Sequence, residues 1–273
     1  MSLKEKAREV LNIIDNKGYQ NLNEEWVDLS DSLTHTINNT LTYNPESYAL
    51  LSSELPRSSK QVSIEVTDET TQIAASRLVA EGCDDPVLLN FASARNPGGG
   101  FLNGAKAQEE DLSRCSILHA SLVTQSEYYT KNREQNSMLY TDYAIYSPRV
   151  AWFRTKSRNM PDALFHASVI TSPAPNANQA FRRGESIENV ESTLLRRSKQ
   201  ILQIAREHGH KTILLGAWGC GVFGNDPTMV AKTFKHWLEG EFAGSFDRVV
   251  FAVYDRTKNK KVYQSFKDCF TEE

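Results

Sequence analysis

The chain predicts a three-layer α/β fold in which a largely parallel or mixed sheet lies between helices. Three observations point there. Short apolar runs have the density of strands buried on both faces, and amphipathic helical stretches alternate with them. Two glycine-rich segments follow directly on apolar runs, where α/β sheets place their ligands. At 273 residues one such core is feasible, with room for an appendage.

The elements follow in order. Residues 4–17 (KEKAREVLNIIDNK) set Ala7, Val10, Leu11 and Ile14 at helical spacing, and Gly18 can end that helix. Residues 25–66 mix short apolar stretches with Ser, Asn and Pro, and only 61–66 (QVSIEV) alternates as a strand does. Residues 1–60 are therefore read as an N-terminal helical appendage packed on a core of residues 61–273. Residues 69–80 read as a helix and 87–92 (VLLNFA) as a buried strand. A helix over 108–122 would carry Leu112, Cys115, Leu118 and Leu122 on one side. Residues 165–170 (FHASVI) form a strand ending in TSPAPN, with His166 as a satisfied core histidine. A long amphipathic helix spans 190–208, and 212–215 (TILL) is a strand leading into GAWGCGVFGNDP. Asp226 as N-cap and Pro227 at the first helical position announce the next helix, with Val230, Phe234, Trp237 and Leu238 as its buried stripe. Residues 248–254 (RVVFAVY) close the set as a strand.

Composition narrows the classes of function. The profile, 40% hydrophobic and 24% charged, is that of an ordinary soluble globular chain. A net charge of −3 does not favour a nucleic-acid backbone binder. Cys83, Cys115, Cys220 and Cys269 are scattered without a C-x-x-C pair, so reduced thiols in an intracellular, cytoplasmic protein are expected rather than zinc or disulfides. The charged start MSLKEKAREV lacks an apolar signal region, and no run approaches the roughly 18 apolar residues of a membrane span.

Chemistry concentrates in two stretches. In NPGGGFLNGAKAQEE, Gly98, Gly99 and Gly100 remove three consecutive Cβ atoms between a strand and a helix, where backbone N–H groups can meet an anion. Tight loop packing is the alternative account. Glu109 and Glu110 fall in the first helical turn, where acids complement the macrodipole. Neighbours on a helix point about 100° apart, so one carboxyl can face a cleft while the other does something different. In the second stretch, Gly219, Gly221 and Gly224 match G-x-G-x-x-G. A dinucleotide fold would need further βα units, yet one strand remains, and Glu239 and Glu241 are poorly placed as ribose acids. A phosphate-binding loop in another α/β arrangement fits better. Cys220 lacks an assignable histidine for nucleophilic chemistry, and Phe223 at the loop tip packs either on a ligand or back on the core.

Together, Gly98, Gly99 and Gly100, the seven residues after them, and Gln108, Glu109 and Glu110 resemble the GGG-x(6–8)-QEE signature of poly(ADP-ribose) glycohydrolases. The surrounding NFASARNPGGGFLNGAKAQEEDLSRCS, with VITSPAPN, LLGAWGCGVFGNDP and RVVFAVYD, is similar to the microbial-type branch. The resemblance implies a macrodomain-like fold that binds ADP-ribose and hydrolyses the ribose–ribose O-glycosidic bond. It further implies Glu110 as catalytic acid/base, Glu109 on the adjacent ribose hydroxyls, and Gln108 helping to fix the ligand. Gly98, Gly99, Gly100, Gly219, Gly221 and Val222 would contact the diphosphate. Phe223 would orient the terminal ribose and Asn96 would contact a ribose. Gly224 stands where related sequences often carry a larger residue, which touches local loop packing. No cofactor or metal is implied. The implied partner is ADP-ribose polymer on modified proteins, met by a monomer without direct nucleic-acid or membrane binding. A reader that binds ADP-ribose without cleaving it, or a hydrolase of mono-ADP-ribosyl linkages, are the alternatives.

Overall fold

The computed structural model describes residues 1–51, 62–162 and 164–271. Its main sheet has seven strands. In chain order these are β3 (Leu41–Tyr43), β4 (Ser63–Thr67), β5 (Val87–Phe91), β6 (Ala144–Trp152), β7 (Phe165–Ser172), β8 (Thr212–Leu215) and β9 (Arg248–Ala252), and they lie side by side as β3-β6-β7-β5-β8-β9-β4. Strands β7, β5, β8, β9 and β4 run parallel, while β6 is antiparallel to both β7 and β3. The sheet is therefore mixed. A separate hairpin pairs β1 (Gly18–Gln20) with β2 (Trp26–Asp28).

Alternation along the central strands builds the layers, because successive strand residues point to opposite faces. Val87, Leu89, Ile213, Leu215, Val249 and Phe251 enter one hydrophobic cluster, with α8 (Ile187–Glu207), α9 (Pro227–Glu239) and Phe266 of α10 (Lys261–Thr271). Leu88, Leu214 and Val250 enter the other, with α1 (Leu3–Asp15), α2 (Ser30–Asn39), α3 (Thr71–Ala80) and α4 (Gln108–Cys115). Both faces are covered, which is why these strands read as continuous apolar runs.

The structure corrects several readings. The helix expected over 108–122 is two, α4 and α5 (Leu118–Leu122). Ser116 breaks it, extended at φ −149°, its Oγ donating to Leu112 O at 2.8 Å while it bridges Trp152. Strand β6 and helices α6 (Ser126–Glu134) and α7 (Ala177–Arg182) were not anticipated. The strand placed at 61–66 appears as β4, and Gln61 lies outside the described residues, as does the expected 60/61 boundary. Residues before that boundary supply β3 to the main sheet, and α1 packs on the 101–103 turn. Trp237 is only partly buried, its Nε1 donating to Leu195 O at 2.8 Å. His166 is half-buried beside Ser32 Oγ at 3.0 Å. Among the described residues, no helix is long and apolar enough to cross a membrane.

Candidate active site

Strands β5 and β8 are parallel neighbours, so the two glycine-rich segments leave the sheet side by side at its carboxyl edge. The first runs from Ala92 to α4 and is tied to itself. Gly98 and Gly99 take left-handed φ values of 70° and 60°, and Gly99 N–H donates to Asn96 O at 2.9 Å. Gly100 N–H donates to Glu110 Oε1 at 2.9 Å. A Cβ at Gly99 would strike Glu110 Oε1 and come within 3.1 Å of Glu109 Oε2. The glycines and the glutamates are thus in direct contact, and the missing Cβ atoms make room for two carboxylates. That contact gives a physical reason for the seven-residue spacing.

The adjacent glutamates differ. Glu109 keeps 3% of its surface, and its Oε2 accepts from Ser93 N–H at 2.6 Å. Its Oε1 accepts from the buried Asn90 Nδ2 at 3.3 Å. Burial pushes its carboxyl up to about 8, with a smaller push from Glu110, against the pull of the Ser93 and Asn90 hydrogen bonds. Glu110 is half-buried, and its Oε2 makes no protein hydrogen bond among the described residues. Gln108 turns inward: its Oε1 accepts from Phe91 N–H at 2.8 Å, and its Nε2 donates to Leu89 O and Thr71 Oγ1. It sews the start of α4 to the end of β5 while its flank lines the cleft. Asn96 is exposed on the loop.

The second segment is fastened at its ends and open at its tip. Trp218, fully buried, donates Nε1 to Ser172 O at 3.0 Å. The buried Asn225 donates Nδ2 to Pro175 O and Gly219 O, and fills the space a Cβ on Gly219 would need. Between them, Gly221 has open space around it, Val222 is 86% exposed, and Phe223 packs partly on the core beside Tyr140. The N–H groups of Gly221, Val222 and Phe223 have no protein acceptor among the described residues. Successive free amides of this kind suit an anion. Gly224, at φ 72°, lies against Asn178, whose side chain fills the place of a larger residue there. Cys220 lines the cleft, but burial pushes its thiol up and away from the reactive thiolate.

Gln108, Gly219, Gly221, Val222 and Phe223 come together around a cleft of about 320 Å³, with Tyr254 and Asp255 on its far side. Asn96, Gly98, Gly99, Gly100, Glu109 and Glu110 are not part of that lining; they flank it on the adjoining loop and helix turn. Past Gln108 and Tyr254, a second hollow of about 400 Å³ continues the cleft. Among the described residues, no group of three His, Cys, Asp or Glu side chains is placed to hold a metal ion.

Two buried guanidiniums, invisible to the sequence reading, hold the walls. Arg114, fully buried, donates to Ala105 O at 2.7 Å and Phe101 O at 3.4 Å, and pairs with Asp111. Ala105 N–H donates to Gly100 O, and Gly100 N–H to Glu110, so Arg114 reaches the carboxylate through two backbone links. Arg197 donates to Asp142, Pro173 O and Tyr140 O, and fixes the backbone beneath the Tyr140–Phe223 contact. A charged residue within a helix reads as solvent-facing, so nothing local betrayed either. Among the described residues only one strand, β9, follows the second segment, and Glu239 ends α9 beside Lys235, which removes the dinucleotide-fold reading.

Residues 7–155 match the family described as "Microbial-type PARG, catalytic domain". Among solved structures, the poly(ADP-ribose) glycohydrolase from Thermomonospora curvata is 39% identical, with a TM-score of 0.93 over 98% of this chain and 99% of that one. The same protein bound to the inhibitor ADP-HPD is 40% identical, with a TM-score of 0.92 over 98% and 99% of the two chains. The Deinococcus radiodurans poly(ADP-ribose) glycohydrolase in complex with ADP-ribose is 42% identical, with a TM-score of 0.82 over 88% and 97%. No curated protein matches.

Proposed function

Because this chain belongs to the microbial-type poly(ADP-ribose) glycohydrolase family, we propose that Glu110 is the acid and base of its hydrolytic reaction. The protein is a poly(ADP-ribose) glycohydrolase with a macrodomain-like fold, acting on an ADP-ribose-containing substrate. What supports Glu110 is the contrast within the pair. Glu109 is sealed and its oxygens are engaged, whereas Glu110 has Oε1 oriented by Gly100 N–H and Oε2 free.

Cleavage of a ribosyl bond passes through an oxocarbenium-like state, with protonation of the leaving oxygen and attack by water. Glu110 donates its proton to the departing 2′-oxygen and then takes one from the incoming water. The role on the adjacent ribose hydroxyls that the family pattern gives Glu109 would need its sealed carboxyl to open towards the cleft; as placed, it braces Ser93 and Asn90 behind Glu110, with Asn96 at the rim of the same loop. Gly98, Gly99 and Gly100 keep side chains out of the space over the carboxylates, and Gln108 sets where α4 begins. The free amides of Gly221, Val222 and Phe223, with Gly219 behind them, receive the diphosphate, and the Phe223 ring bears on the terminal ribose. In this arrangement residues 61–273 are the catalytic core and residues 1–60 an appendage that lends it an edge strand. Cys83, Cys115 and Cys220 as thiols suit an intracellular enzyme.

The test is release of free ADP-ribose from auto-modified polymer, followed by chromatography. Wild type releases it. Glu110→Gln loses about 10²–10⁴-fold or more in rate, the range of general acid–base catalysis, and still binds ADP-ribose. A fully active Glu110→Gln protein would sink the assignment.

A further inference from the structure

The cleft does not end at its second hollow. Beyond Tyr254 it opens into a third, of about 480 Å³, bordered by the 155–159 loop, the residues after β4 and the first residues of α1. Four cations ring it: Lys106, Lys156, Arg158 and Arg256, all exposed. Three acids line it as well, so the sign of the groove depends on which charges are already paired. Asp68 is paired with Lys260, Glu69 with Arg77 at 2.7 Å, and Asp111 with Arg114 at 3.2 Å. None of the four cations has a carboxylate partner among the described residues. Arg158 donates to the Met1 carbonyl, and Arg256 lies over the Tyr254 ring, its Nε donating to the phenol oxygen. Each acid is thus turned to a cation outside the four, with Arg77 shared by Glu69, Glu65 and Glu81, and the four cations keep their charge for a ligand.

The loop that brings Lys156 and Arg158 here is fixed from inside. Arg154, 3% exposed, donates Nη1 to Asn159 O and Glu9 Oε2, both at 2.9 Å. Ser157 donates to Asp111 Oδ1 at 2.7 Å, on the same helix that carries Glu110. Residues from three distant parts of the chain are thus held at one end of the substrate cleft with unpaired positive charge.

We infer that this groove is a second substrate subsite, which binds the diphosphate of the ADP-ribosyl unit next to the one in the cleft. The inference rests on the polymer-hydrolase reading and deepens it. On this inference one ADP-ribosyl unit occupies the first two hollows, and the next unit of a chain reaches the third. The groove therefore adds an increment of affinity for polymer that free ADP-ribose does not receive, and this increment weakens with salt as phosphate contacts do.

The experiment uses Glu110→Gln protein, which holds substrate without cutting it, alone and combined with Lys156→Glu and Arg158→Glu. Both positions are exposed and lie outside the catalytic machinery, and melting curves check that the fold is intact. Affinity is measured for long ADP-ribose polymer and for free ADP-ribose. Reversing two exposed charges lowers polymer affinity about tenfold or more, equivalent to about 1.4 kcal/mol, while ADP-ribose affinity holds. Equal loss for both ligands, or no loss for polymer, overturns the subsite. So does a charge-matched DNA oligonucleotide that competes as well as polymer, because the groove would then read phosphate alone. Hydrolysis by the wild type is run in parallel. Absence of ADP-ribose release with the polymer increment intact removes the catalytic reading; release with no effect of the charge reversals removes only the groove.

Discussion

The two glycine-rich loops leave neighbouring strands at the same edge, yet the structure uses their glycines for opposite ends. In the first loop, N–H groups and space are turned inward: Gly99 bonds Asn96, Gly100 bonds Glu110, and the absent Cβ atoms admit the carboxylates. In the second, Trp218 and Asn225 anchor the ends, and the amides of Gly221, Val222 and Phe223 are left without protein acceptors among the described residues. One loop fixes a catalytic group in advance, and the other keeps donors ready for a ligand. Glycine composition alone does not distinguish these. What distinguishes them is whether a neighbouring side chain claims the backbone.

The contrast is sharpest at Gly99. Gly99→Ala places a methyl group on Glu110 Oε1 and imposes a left-handed conformation on alanine. Strain of about 1–2 kcal/mol is expected, together with a loss of turnover of about 100-fold, as for a misplaced catalytic group. Denaturant unfolding and steady-state kinetics measure the two parts. Native turnover in the Gly99→Ala enzyme would break the proposed coupling between the loop and the acid.

Phe223→Ala tests the second loop next. Its ring is only partly in the core, so the melting temperature should fall by about 2–4 °C, the shift for roughly 1 kcal/mol in a domain of this size. Turnover should fall by about tenfold or more, on the order of losing one substrate-orienting contact. A variant that melts like a deep core mutant, with kcat preserved in what remains folded, would make Phe223 a packing residue.

A pH experiment addresses Glu109. Its carboxyl is raised from 4.5 to about 8, so between those values the folded protein holds a proton that the unfolded chain has released. Its contribution to stability therefore falls as pH rises through that window, and the full cost of an ionised buried carboxylate is reached above about 8. Glu109→Gln removes this slope. Its melting temperature relative to wild type should climb between about pH 5 and 9, and a constant difference would mean that Glu109 stays ionised throughout.

The smallest effect is expected at Gly221. A Cβ there meets nothing within 4 Å, and its φ is not left-handed, so Gly221→Ala should change stability by less than about 0.5 kcal/mol. ADP-ribose affinity, read by calorimetry, should change less than about threefold, because the amide remains. Set beside Gly99→Ala, this pair separates glycines needed for space from those that leave a donor free.

Much of the fold was legible locally. Apolar runs marked β5, β8 and β9, and Asp226 with Pro227 marked the start of α9, where the Asp226 side chain does accept from Met229 N–H. Strand β6 carries Pro148 in its middle, and strands disfavour proline away from bulges, so its local pattern argues against a strand. The structure places its irregularity there, between Ser147 and Val150, with Arg149 at φ 44°. The break at Ser116 was hidden because the apolar spacing continues across it, and only the pairing with Trp152 in β6 creates it.

By itself, the sequence determined the succession of strands and helices, the order of the two loops and the GGG-to-QEE spacing that marks the family. These are local or periodic features, carried by residues near one another in the chain. Tertiary structure alone decided that Glu109 is sealed and Glu110 open, and that the second loop's amides stay free. It alone set Arg114 behind the acid and brought Lys106, Lys156, Arg158 and Arg256 to one groove. Burial, hydrogen-bond satisfaction and charge pairing depend on neighbours supplied from distant parts of the chain, which no local pattern specifies.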